Sequence, residues 1–175
     1  MMITVAQLDA MPVAEAAFKL AACCGASKWV AGMLAQRPFG SRDRLFEASD
    51  EVAHTLVEPD WIEAFSHHPR IGQRRSNSAV STTEESWSTG EQSAVATAST
   101  KVRAALVDAN AEYESRFGFI FIICATGRSA EEILAVLEAR MRNEPADEVL
   151  IAAREQQLIT RLRLEKLLLP NGARA

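Results

Sequence analysis

Apolar residues recur along most of this chain at the three- and four-residue intervals of a helix, and the residues between the apolar stretches supply starts and stops. Thr4 to Gln7 reads T-x-x-Q, a capping box ahead of a first short turn. Pro12 opens "VAEAAFKLAACC", which Gly25 closes. A short segment around "KWVAGML" stops at "RPFGS", and Ser41 caps "RDRLFEASDEVAHTL". Pro59 opens "DWIEAFSH", which ends near His68 because Pro69 disfavours helix in the residue before it. From Gly72 to about Thr82 the chain turns polar and serine-rich, the texture of a surface loop. One long helix is predicted from Thr83 or Ser88 to Ser115. "GFIFIICATG" then breaks the pattern: a short apolar run between Gly118 and Gly127, a buried strand or an extended segment, between which periodicity does not decide. Ser129 to Glu132 is a second capping box, opening "AEEILAVLEARMRN". Pro145 opens the last long helix, which runs to about Leu169 and stops at "PNG". The expectation is an all-α fold, a single domain over residues 1–175 with about seven to nine helices and one short extended segment.

Composition narrows the function classes. Hydrophobic residues make up 48% of 175, enough for a packed core. A net charge of −4, without a basic stripe, argues against nucleic acid as a partner. The N-terminus "MMITVAQLDAMPVAEAAF" has neither a basic start nor a long apolar run, so no signal peptide and no membrane partner is expected. The three cysteines, Cys23, Cys24 and Cys124, contain no C-x-x-C pair and suit a reducing, cytoplasmic setting. Together with three histidines they are too few for a Cys/His zinc site, and no metal is expected.

Three places carry candidate chemistry. In "SHHPRIG", Trp61, Ala64, Phe65 and His68 share one helical face, while Asp60, Glu63 and His67 share another. His68 is thereby directed inward at a helix end that Pro69 breaks, where a general acid or base can meet a small molecule. The plainer alternative is a core histidine bonded to a carbonyl. His67 is directed to water, near Glu63 one turn back. In "SWSTGEQSAV", Glu91 has Trp87 and Val95 four residues to either side, and Ser88, Glu91 and Gln92 present hydroxyl, carboxylate and amide together. The same S-x-x-E spacing is also a capping box. In "QQLITRLRLEKLL", Arg161 and Glu165 form an exposed pair, whereas Arg163 lies between Ile159 and Leu167. A guanidinium there meets a carboxylate, of Glu91 or of a ligand, or else snorkels to water. "ATGRS" is a glycine turn before a helix and lacks the full phosphate-loop pattern.

"HPRIG", "SxxEQ", "NAEYESRFGFIFIICATGRSAEEIL" and "RLRLEKL", in this order, resemble the OHCU decarboxylases, and the resemblance runs from "KWVAGML" to Leu168. These enzymes convert 2-oxo-4-hydroxy-4-carboxy-5-ureidoimidazoline (OHCU) to (S)-allantoin and carbon dioxide late in urate degradation. The resemblance implies an all-helical homodimer with a small-molecule substrate and no cofactor. It places the family's catalytic histidine, glutamate and arginine on His68, Glu91 and Arg163. It also implies substrate contacts from Ser88, Gln92, Pro69 and the main chain of Phe121, Ile122, Ile123, Cys124 and Ala125. The sequence departs from some members at Arg70, where they carry an acid, and in the loop from Gln73 to Trp87. Two other function classes fit less well. A hydrolase of a related ureido or hydantoin ring needs a water activator, usually a metal. A helical interaction module would use His68, Glu91 and Arg163 as a buried polar network.

Overall fold

The computed structural model of the chain describes residues 2–71, Trp87 and residues 93–169. Among these residues there are nine helices and no strand, and the one β pairing is a parallel bridge between Ile3 and Leu168. The all-α expectation holds.

Local chemistry explains most boundaries. Helix α1, Val5–Ala10, starts at the predicted capping box: Gln7 N donates to Thr4 Oγ1 at 3.1 Å, and Thr4 N donates to the Gln7 side chain at 2.8 Å. Helix α2, Val13–Cys23, follows Pro12 and turns extended at Cys24, one residue before the predicted glycine stop. Helix α3 is Ser27–Ala35. Helix α4, Arg42–Ala53, has Ser41 as its cap but ends earlier than the pattern through Leu56 suggests. There Thr55 bonds back to the Val52 carbonyl through both its N–H and its hydroxyl, closing the last turn tightly. Helix α5, Glu58–Ser66, begins where the Asp60 carboxylate accepts from Val57 N at 2.9 Å.

The predicted long helix is two. Helix α6, Ser93–Thr97, stops and helix α7, Thr100–Phe117, restarts. Ser99 causes the break: it adopts non-helical backbone and its hydroxyl accepts from Val102 N at 3.3 Å, a new N-cap. The helix then runs two residues past Ser115 to Gly118, whose φ of 79° provides the left-handed stop. Helix α8, Ala130–Arg140, has the Ser129–Glu132 capping box, and helix α9 is Pro145–Leu167. The apolar run between α7 and α8 forms neither helix nor strand over Ile120–Ala125.

Close contacts gather the chain into two compact units: residues up to Ala64 together with those from Gln157 onward, and Phe65–Gln156. In the first unit α3 packs on α2 and on α4. Gly32 permits the second approach, since a Cβ there would lie 2.6 Å from a methyl of Val52. Asp60 pairs with Lys28 at 3.1 Å, and Glu63 accepts from Ser27 N and Oγ at 3.0 and 2.5 Å, so the acids of α5 grip the start of α3. Glu63, one turn before His67, thus engages Ser27, a partner that helical spacing does not give. In the second unit α7 packs on α8, and an aromatic group of Phe65, Tyr113, Phe117, Phe119 and Phe121 fills the interior.

Candidate active site

Trp61, Ala64 and Phe65, the apolar positions that the spacing puts on the inward face of α5, are buried. The helix ends at Ser66, and His68 N donates to the Phe65 carbonyl at 3.0 Å. His67 is exposed, whereas His68 and Pro69 lie between core and surface. The His68 turn is fixed to α7 just downstream. Arg70 forms a two-pronged pair with Glu114, both bonds 2.8 Å, and Asn110 donates to the Ile71 carbonyl at 3.5 Å. Such an exposed ion pair adds little stability, but it fixes the direction of the turn.

The same helix supports the segment that the resemblance singles out. Phe119 packs edge-on against Tyr113 and lies 5.2 Å from Phe65, centroid to centroid, which joins the histidine turn to the segment's start. Phe121, Ile122, Ile123 and Ala125 are buried and Cys124 partly so. Buried main chain without a neighbouring strand needs other partners. Arg140 Nη1 donates to the Ile122 carbonyl at 2.8 Å, and Cys124 N donates to the Glu155 carboxylate at 2.8 Å. Arg128 donates to the carbonyls of Cys124 and Ala125. Charged side chains hold this segment where a sheet would otherwise do so.

Behind it lies a buried polar network. Arg140 pairs with Glu148, which is fully buried, and its guanidinium covers the Phe121 ring at 4.6 Å. The Tyr113 hydroxyl donates to Glu148, and Asn143 donates to the other Glu148 oxygen at 2.6 Å. Burial first, then the Glu148 carboxylate, pushes the Tyr113 phenol well above its ordinary value, so it stays a donor. The sequence reading passed over Tyr113, Arg140, Glu148 and Glu155. A signal existed for Arg140, which shares a helical face with Ile133 and Leu137, the same criterion that selected Arg163.

Arg163 belongs to the first unit. Ile159 and Leu167 flank it, both buried, and it is itself 3% exposed, so it does not snorkel to solvent. Its Nη1 donates to the Ala22 carbonyl at 3.3 Å, at the end of α2, where the helix dipole favours a cation. The nearby Cys24 thiol is buried and pushed up to about 11, chiefly by burial and against the pull of its hydrogen bonds and of Arg163. Arg161 behaves as predicted, 3.7 Å from Glu165, and also covers the Phe46 ring at 4.7 Å. Ser88, Glu91 and Gln92 lie outside the described residues; Trp87 and Val95, the predicted neighbours of Glu91, are half-buried and buried. Among the described residues no group of three or more His, Cys, Asp or Glu is arranged to hold a metal ion, and no helix is long and apolar enough to cross a membrane.

A family model described as OHCU decarboxylase matches residues 9–165. The uric acid degradation bifunctional protein TTL of Arabidopsis thaliana is 39% identical over 158 residues, 90% of this chain and 48% of that one. The chain therefore spans about half the length of that relative. The 2-oxo-4-hydroxy-4-carboxy-5-ureidoimidazoline decarboxylase of Amia calva is 33% identical over 141 residues, 75% of each chain. A crystal structure of OHCU decarboxylase in the presence of (S)-allantoin superposes with a TM-score of 0.74 at 35% identity, covering 86% of this chain and 96% of that one.

Proposed function

The chain belongs to the OHCU decarboxylase family, and on that premise we propose that it converts OHCU to (S)-allantoin and carbon dioxide in urate degradation. The observation that carries the reading is the family match over residues 9–165, supported by a solved OHCU decarboxylase with the same fold at 35% identity.

The substrate's carboxylate sits on a carbon next to a ring C=N. When the bond to carbon dioxide breaks, its electron pair flows into that imine, so the substrate is its own electron sink and asks for no cofactor. The resulting enediol-like intermediate takes its proton on the former imine carbon, which bears the ureido group, while the hydroxyl-bearing carbon that lost carbon dioxide becomes the ring carbonyl; the face of delivery sets the chirality of allantoin. In this reading His68 delivers that proton, help worth ~10²–10⁴-fold in rate. Its turn, held by Arg70–Glu114 and by Asn110, gives the ring a fixed approach. Arg163 binds a carboxylate or ring oxygen with its planar fork. Glu91 orients the imidazole or the substrate hydroxyl. Ser88 and Gln92 meet the urea-like groups, and Pro69 with the main chain of Phe121–Ala125 receives the ring. A homodimer and a cytoplasmic location complete the reading, the latter supported by three cysteines that form no disulfide.

The test is product analysis with OHCU generated in situ from urate. Accelerated carbon dioxide release with the allantoin ring intact is expected. Ring opening without carbon dioxide would instead identify a hydrolase, and an unchanged spontaneous rate would remove the activity.

A further inference from the structure

We propose that Glu155 and Arg140 are positioning residues for the reaction, holding the main chain of Phe121–Ala125 in the conformation that receives the substrate ring. The inference rests on the decarboxylase reading; neither residue touches substrate in it. The geometry is that of a clamp. Glu155 accepts from Cys124 N and Arg140 donates to the Ile122 carbonyl, both at 2.8 Å, so two nearby main-chain groups are each tied by a charged side chain. Arg140 also covers the Phe121 ring at 4.6 Å. Three residues of one short segment thus take their placement from two side chains.

The clamp is itself braced. Arg140 Nε donates to a Glu148 oxygen at 2.7 Å, and Tyr113 and Asn143 hold the same carboxylate. A buried ion pair gains little over apolar packing in stability, because desolvation offsets the attraction. What the pair adds is a guanidinium that cannot rotate away from Ile122. The segment has no neighbouring strand among the described residues to set its conformation, so small displacements of these side chains pass directly into the main chain.

Glu155 carries the test, because it is only partly buried whereas Arg140 and Glu148 are in the interior. With OHCU generated in situ, Glu155→Ala is expected to raise KM about 10-fold and leave kcat within about two-fold, since the lost bond serves binding of ring and transition state alike. Glu155→Gln keeps an acceptor for Cys124 N and should return KM to within about two-fold of the wild type. A merely structural residue would lower the melting temperature without this KM pattern. An unchanged KM in folded Glu155→Ala, or Glu155→Gln as impaired as Glu155→Ala, overturns the inference. Should Glu155→Ala not fold, Glu155→Asp, which withdraws the carboxylate by one methylene, is read in the same way. A wild-type protein that leaves OHCU to its spontaneous decay overturns the decarboxylase reading, and this inference with it.

Discussion

His67 and His68 are neighbours in sequence, just past the end of α5 at Ser66, and differ in exposure: His67 is exposed, whereas His68 is half-buried. That difference was legible from spacing alone, as were the flank of Arg163 and the exposed Arg161–Glu165 pair. What spacing did not give was partner identity: Glu63 grips Ser27, which is distant in sequence. We expect His68→Asn to abolish enzymatic turnover while the helical signal and melting temperature stay nearly unchanged, and His67→Asn to keep most activity. Loss of turnover in His67→Asn alone would contradict the assignment. Cys24 supplies a separate expectation. Its thiol, ordinarily at 9.0, is pushed up to about 11 by burial, so the folded chain keeps a proton that the unfolded chain releases. The stability tied to this proton is complete below pH 9.0 and is lost as pH rises toward about 11. Urea denaturation across that window should show Cys24→Ala losing less stability than the wild type, by on the order of 2 kcal/mol. Parallel curves would show that the thiol is not the group responsible.

At the scale of elements, capping chemistry was the most readable signal. The boxes at Thr4–Gln7 and Ser129–Glu132, and the cap at Ser41, all formed as spelled. Ser99 was missed because it sits inside an unbroken polar and alanine-rich pattern, with no proline or glycine to mark the break. Its hydroxyl starts α7, so Ser99→Ala should cost about 1 kcal/mol of stability in chemical denaturation. A neutral result would mean the break is set elsewhere. Gly32→Ala should cost about 1–3 kcal/mol, because Val52 leaves no room for a methyl group where α3 meets α4. The segment Phe121–Ala125 could not be read from its pattern. An apolar run implies burial, but what satisfies its main chain is carried by Arg140 and Glu155, residues of later helices.

For the whole molecule, the fold class and the family were legible because short motifs recur in a fixed order over most of the chain. The candidate site residues come one by one from spacing and resemblance, and of the polar network behind Phe121–Ala125 only Tyr113 lies within a stretch that carries the resemblance, whereas Arg140 and Glu148 lie outside it. Since the imine takes the electron pair, activity should survive exhaustive chelation and dialysis in full. Activity restored only by an added divalent metal would instead favour metal-assisted hydrolysis. The central claim is one-faced protonation after loss of carbon dioxide, and the stereochemistry of the product reads it directly. Spontaneous decay of OHCU gives racemic allantoin. Circular dichroism of OHCU generated in situ from urate should therefore develop the signal of (S)-allantoin with the wild-type protein and none with His68→Asn. Racemic allantoin in the presence of the wild-type protein, formed at the spontaneous rate, would contradict the account.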